Sequence, residues 1–180
     1  MKELSLHILD LVENSISAKA SLIKIAIIEE LEKNLLQITI GDNGRGMDEE
    51  LLIVVDNPFT TTRTTRSVGL GLSLFKSAAL RANGDFHIIS EKGKGTEVVA
   101  SFKHDNIDRA PIGNMGSTIS AILSREEKID ILYLHKINNK KFIFCTKEIK
   151  KLLGQISMNT PKVILWVQDY INENIEELNK

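Results

Sequence analysis

Asp10 and Asn14 lie one helical turn apart, a spacing that stacks both side chains on one face of a helix. An amide oxygen is a hard ligand suited to Mg2+, and a carboxylate four residues earlier can polarise a water or a hydroxyl. A plain solvated helix face is the alternative. Further on, Asp42-Asn-Gly-Arg-Gly46-Met47 ends an apolar run. A buried, ionised carboxylate only accepts hydrogen bonds, so it favours an exocyclic amino group such as that of adenine and disfavours the carbonyl of guanine. Glycines let the chain turn tightly beneath a base, although an ordinary Asp/Asn/Gly turn uses the same residues. The stretch Phe59-Thr-Thr-Thr-Arg-Thr-Thr-Arg-Ser-Val-Gly-Leu-Gly-Leu72 runs into an apolar helix. Arg63 and Arg66 offer planar forks to phosphate oxygens, Thr62 and its neighbours offer hydroxyls, and Gly69 and Gly71 admit an anion to the helix mouth. A basic loop without a ligand is the competing reading. Gly93-Lys-Gly-Thr96 is either a hairpin turn or a third loop of the same site. Taken in order, three glycine-bearing loops behind the Asp10/Asn14 helix point to one nucleotide site.

Helical spacing of Leu4, Ile8, Leu11, Val12 and Ile16 predicts a helix over residues 2–20 with Asp10, Asn14 and Ser17 on a different face. Alternation of Ile23, Ile25 and Ile27 predicts a strand over 22–30, and Leu36, Ile38 and Ile40 predict a second. A short helix is expected from Asp48 to about Val55, ended by Pro58, then a loop over 57–67 and a helix from about Val68 to Asn83 closed by Gly84. A hairpin over 85–91 and 96–103 completes an α-β-β-α-α-β-β order, with an antiparallel sheet and helices on one face. The pattern breaks at residues 104–112, around Pro111. Beyond it the sequence predicts a helix near 113–125, strands over 129–136 and 141–145, and helices over 146–153 and 161–178, the last opened by Pro161.

The chain has 180 residues, 42% of them apolar and 26% charged, enough for a packed core and a soluble surface. Its net charge of −1 argues against a general nucleic-acid or anionic-membrane binder. The single cysteine, Cys145, sits in a Phe-Ile-Phe-Cys strand, reads as a packed residue, and suits a reducing cytoplasm. No run is long and apolar enough to span a bilayer. A cytoplasmic location is expected.

The helix Asp10-Leu-Val-Glu-Asn14, then Asp42-x-Gly-x-Gly46, Gly69-x-Gly71 and Gly93-x-Gly95-Thr96, resemble the asparagine box and three glycine boxes of the GHKL ATPase and kinase superfamily. That superfamily holds gyrase B, Hsp90, MutL and sensor histidine kinases, with anti-sigma kinases as close relatives. Pro58-Phe-Thr-Thr-Thr-Arg63 also resembles the phenylalanine box of histidine kinases. The resemblance covers about residues 1–103. It implies an α+β fold, a two-layer sandwich with a mixed, mainly antiparallel sheet, holding ATP and Mg2+. By motif position Asn14 would hold the metal ion and Asp42 the adenine. Gly44, Gly46, Met47 and Thr96 would line the base pocket. Thr62, Arg63, Arg66, Gly69, Leu70, Gly71 and Leu72 would form the lid and phosphate site. Asp10 is the candidate base, one methylene shorter than the Glu of the gyrase, MutL and anti-sigma patterns.

Residues 104–180 are expected to form a C-terminal α/β extension. Lys136, Lys140 and Lys141 either imitate the lysine that larger relatives place on the γ-phosphate or form a solvated basic hairpin. Sensor kinases place a phosphoacceptor histidine on a helix pair ahead of this domain. His7 reads instead as a packed core histidine, so an acceptor is expected on another protein. The expected function is Mg·ATP binding with phosphorylation or regulation of a partner protein in trans. The alternatives are a slow ATPase switch whose lid closure drives homodimer formation, and an ATP-gated interaction module without catalysis.

Overall fold

The computed structural model of the protein describes residues 2–56, 70–126 and 128–180. Its elements in chain order are α1 (Leu4–Ser17), β1 (Leu22–Glu30), β2 (Leu35–Asp42), α2 (Glu49–Asp56), α3 (Leu70–Arg81), β3 (Phe86–Glu91), β4 (Gly95–Lys103), α4 (Met115–Arg125), β5 (Asp130–Ile137), β6 (Lys140–Cys145), α5 (Thr146–Leu153) and α6 (Pro161–Leu178). The strands form one six-stranded sheet in the order β3-β4-β2-β1-β5-β6. Every pairing is antiparallel except β1 with β5, which is parallel. The α+β class with a mixed, mainly antiparallel sheet is as expected.

The period-two pattern of each strand puts its apolar residues on one face. Register then aligns them in rows across the sheet. One row runs Ile88, Val98, Ile40, Ile25, Tyr133, Phe144, and the next Phe86, Ala100, Ile38, Ile27, His135, Phe142. With the buried faces of α1, α3, α4 and α6 the apolar residues of these rows form one core cluster, against which the half-buried Phe86 and Ile88 pack, and His135 is buried beside it. On α1 the buried Leu4, Ile8, Leu11, Val12 and Ser15 recur every three or four residues, so a single stripe faces the sheet. Burying a side chain such as Ile25 or Leu11 stabilises the fold by about 1.5–3 kcal/mol. His7 is in this core too, its ring 5.6 Å from that of Phe75.

Helix α1 is closed at both ends by other parts of the chain. The Leu4 and Ser5 N–H groups, which lack partners inside the helix, donate to the carbonyls of Pro111 (2.9 Å) and Ile112 (2.7 Å) in the linker before α4. At the other end Lys19 takes a left-handed conformation (φ 62°) and turns the chain into β1. The linker is pinned to the sheet through His104. Its Nε2 bonds Glu29 Oε2 at 2.8 Å, while Glu29 Oε1 meets His135 Nε2 at 2.8 Å and His135 Nδ1 meets the Tyr133 hydroxyl at 2.8 Å. Burial by itself raises the Glu29 carboxyl, but the hydrogen bonds from His135 and His104 and the charge of both rings outweigh it and hold the carboxyl below its ordinary value. Burial also pushes the Tyr133 phenol up, and the Glu29 charge adds to it. Among the described residues no helix is long and apolar enough to cross a membrane.

Candidate functional site

In β2 the inward positions are Leu36, Ile38, Ile40 and then Asp42. Period two therefore delivers a carboxylate where the pattern would place another apolar residue. The row it occupies continues through Thr96 of β4 and Ser90 of β3, so three polar side chains cluster at one end of an otherwise apolar face. Helix α1 covers that end. Ser15 Oγ donates to Asp42 Oδ2 at 2.6 Å, and the Gly44 N–H donates to Oδ1 at 2.8 Å. Each oxygen keeps a lone pair for a further donor. Ser90 Oγ accepts the Met47 N–H at 2.8 Å and lies 2.8 Å from Thr96 Oγ1.

The loop after β2 is held from two sides. Asn43 Oδ1 accepts the N–H groups of both Ser21 and Leu22 at 2.9 Å, and the Arg45 N–H donates to the Ala18 carbonyl at 2.9 Å, so the loop is tied to the end of α1. Against the β3–β4 turn the fit is closer. A Cβ on Gly46 (φ +64°) would lie 2.0 Å from the Glu91 carbonyl oxygen, and one on Gly95 (φ +115°) would lie 1.9 Å from the Asp42 carbonyl oxygen. Only glycine permits both the backbone conformation and the approach.

A cleft opens between these loops and α1. Asn14, Asp42, Gly46, Met47, Leu72 and Thr96 line it, with Leu11, Ser15, Ile40, Leu51 and Val98 supplying the rest of its floor and walls. Apolar walls around one fixed carboxylate suit a flat heteroaromatic ring bearing an amino group. Gly44 borders the cleft wall: a Cβ there would meet the Ala18 carbonyl oxygen at 2.8 Å. At the mouth of α3 a Cβ on Gly71 would stand 3.3 Å from Asp10 Cβ and 3.8 Å from Asn14 Nδ2. The glycine-opened helix start therefore faces the polar side of α1, with Asp10 beside the cleft rather than in its lining. Leu70 is exposed. Thr62, Arg63, Arg66 and Gly69 lie outside the described residues.

Sequence reasoning missed Ser15, the residue that orients Asp42, and Ser90, which joins Met47 to Thr96. Ser15 carried a signal, because it falls on the apolar stripe of α1 where a hydroxyl needs a partner. Lys136, Lys140 and Lys141 stand at the other end of the sheet. Lys136 pairs with Ile28 and Ile28 with Gln37, five positions along β2 from Asp42, or about 17 Å. Among the described residues no group of three His, Cys, Asp or Glu side chains could hold a metal ion.

The family model described as histidine kinase-, DNA gyrase B-, and HSP90-like ATPase matches residues 2–106. The chain belongs to this family. It contains an ATP-binding domain of the GHKL type. Over 98 residues it is 32% identical to the sensor histidine kinase YvrG of Bacillus subtilis, a match covering 52% of this chain and 17% of that protein. The matched segments span less than a fifth of the length of such curated relatives. Among solved structures, the N-terminal domain of a DNA repair protein superposes with a TM-score of 0.58 at 18% identity, over 88% of this chain and 59% of the other. The topoisomerase IV ATP-binding domain of Francisella tularensis gives 0.52 at 16% identity, over 79% and 87%. At these identities the likeness is one of fold.

Proposed function

We propose that the chain binds Mg·ATP in the cleft between α1 and the end of the sheet and passes the γ-phosphoryl group to a partner protein. The observation that carries the reading is Asp42, an inward-facing carboxylate fixed by Ser15 and the Gly44 N–H among Leu11, Ile40, Met47, Leu72 and Val98. It suits the adenine amino group, with Thr96, Gly44 and Gly46 beside the ring. Asn14, in the lining of the same cleft, is the candidate to hold the metal ion. Mg2+ keeps several waters and binds through few protein ligands plus phosphates, so one amide oxygen with Asp10 nearby fits it, and the ion would neutralise phosphate charge. Leu70, Gly71 and Leu72 stand at the α3 mouth, where N–H groups favour an anion. Thr62, Arg63, Arg66 and Gly69 are assigned to the lid over the phosphates.

Transfer is favoured over hydrolysis by the sensor kinases among the relatives and by the short Asp10. In the step, the bond from the γ-phosphorus to the bridging oxygen breaks and ADP leaves with the electron pair. A nucleophilic nitrogen or oxygen of the acceptor forms the new bond, and Asp10 is the candidate to receive the proton of a hydroxyl acceptor. Residues 1–103 would form the nucleotide-binding part and 104–180 an extension that serves the partner. The test is incubation of the protein with Mg2+ and ATP labelled at the γ-phosphate, with and without native lysate. Label on a second protein is expected. Label released only as phosphate would replace transfer with hydrolysis, and bound but unmoved label would leave a nucleotide-gated interaction module.

A further inference from the structure

Strand β6 closes one side of the sheet, and among the described residues no strand pairs with its outer edge. Ile137 and Lys140 flank a two-residue turn with Asn138 at φ 51°, so the doubly bonded cross-strand pairs fall at Lys140, Phe142 and Phe144. The N–H and C=O groups of Lys141 and Ile143 therefore point away from β5. Phe142 and Phe144 are buried in the helix layer, where Phe142 meets Tyr170 of α6. By alternation Lys141 and Ile143 face the open side, and Ile143 is 51% exposed there.

Charge distinguishes this edge. Lys136 is directly opposite Lys141 in a non-bonded pair, the register in which side chains come closest and like charges are unfavourable. Glu30 acts on Lys136 but is itself bonded to Lys33 at 2.6 Å. Lys147, just past the strand, lies 3.8 Å from Asp130. Among the described residues Lys140 and Lys141 have no ion-pair partner. A chain of net charge −1 thus concentrates cations at a strand whose backbone groups are free.

We propose that β6 is the docking edge for an extended acidic segment of a partner protein, which adds a seventh strand with carboxylates beside Lys140 and Lys141 and an apolar residue beside Ile143. Main-chain bonds would give affinity and the alternating side chains specificity. Lysines on an edge repel neutral and basic strands. A second copy would bring its own Lys140, Lys141 and Lys147 against the same set, so the charge that excludes self-pairing selects carboxylates. The edge lies at the far end of the sheet from Asp42, and docking there leaves the cleft open. The proposal is independent of what the cleft binds.

The probe is a fluorescent nine-residue peptide built around Val-Thr-Glu-Glu, whose adjacent acids face opposite sides of the sheet and whose valine shares a face with the first of them, titrated into the full chain and read by anisotropy. Expected are salt-sensitive binding, protection of the Lys141 and Ile143 amides from hydrogen exchange, and loss of binding when alternate peptide nitrogens are methylated. Lys141→Glu should weaken the acidic peptide about tenfold and favour its counterpart with lysines in place of the two glutamates. Ile143→Pro removes an outward N–H without touching a bond to β5, so it should abolish binding in a folded protein. No binding at low salt, or binding indifferent to Lys141→Glu and to methylation, would overturn the proposal. So would a dimer in sedimentation that Ile143→Pro dissolves, since the edge would then belong to a second copy.

Discussion

Replacing Asp42 by Asn tests the cleft most directly, because the fold should tolerate it and the ligand should not. In the native protein Asp42 accepts from Ser15 Oγ at 2.6 Å and from the Gly44 N–H at 2.8 Å. An Asn side chain keeps its oxygen on the Gly44 N–H and presents its NH2 to Ser15. The Ser15 hydroxyl can turn to accept that bond and donate to the Leu11 carbonyl, already 3.3 Å away. The number of internal hydrogen bonds is conserved, so stability should change by less than about 1 kcal/mol. The adenine amino group instead meets an N–H donor in place of an anionic oxygen. A hydrogen bond to a charged group contributes about 1.5–3 kcal/mol, so the dissociation constant for Mg·ATP should rise about 10- to 150-fold. The NH2 also suits the guanine carbonyl, so the preference for ATP over GTP should narrow. Calorimetric titration with each nucleotide, beside thermal melts of both proteins, makes the measurement. If Asp42→Asn bound ATP within threefold of the native chain, with its preference over GTP unchanged, the assignment of Asp42 to the base would be refuted.

Gly46→Ala should destabilise the fold by on the order of 3 kcal/mol, since its Cβ would lie 2.0 Å from the Glu91 carbonyl oxygen at φ +64°; a loss below 1 kcal/mol in urea unfolding would show that the β3–β4 turn yields freely. Burial drives the His7 imidazole down to about 4, and among the described residues its Nδ1 has no hydrogen-bond partner. The unfolded chain therefore binds a proton near pH 6.5 that the folded chain refuses until about pH 4, so His7 lowers stability as the pH falls through that window, by about 3 kcal/mol at most. His7→Leu should remove that part of the slope, and parallel pH profiles for the two proteins would contradict it. Glu29 titrates below its ordinary value of 4.5, so it contributes stability above that pH, and the contribution is lost as the pH falls through the lower folded value. Glu29→Gln should cost about 1.5–3 kcal/mol at neutral pH by unfolding measurements, with the difference shrinking in acid; a constant difference down to pH 3 would count against the linkage.

Local patterns carried most of the architecture. Alternation in Ile23–Ile27 and Leu36–Ile40 predicted β1 and β2, and Pro161 marked the start of α6. Asp42 was read at the end of β2 and the site from the order of glycine-bearing loops, whereas the alternation of Leu36, Ile38 and Ile40, continued to Asp42, accounts for the inward face of its carboxylate. The parallel pairing of β1 with β5 was not legible, because strand neighbours far apart in the chain leave no local trace. Glu29, His104 and His135 come from β1, from the linker before α4 and from β5, and only folding brings them together. Ser15 was hidden by its neighbour Asn14, whose amide attracted the metal-ligand reading.

The carbonyls of Pro111 and Ile112 that close α1, and the β5 strand that covers the free side of β1, set an order of events during synthesis. Asp42 and α1 are made early, yet the helix gains its last acceptors only when the chain has reached Ile112, and β1 its second neighbour only when it has reached Ile137. At typical translation speeds the roughly 95 intervening residues take about 5–20 s. Throughout that interval one edge of β1 stays unpaired, so a ribosome stalled before β5 would carry the residues of the cleft on a sheet that is not yet complete. The readiness of the cleft is timed by residues that never touch it.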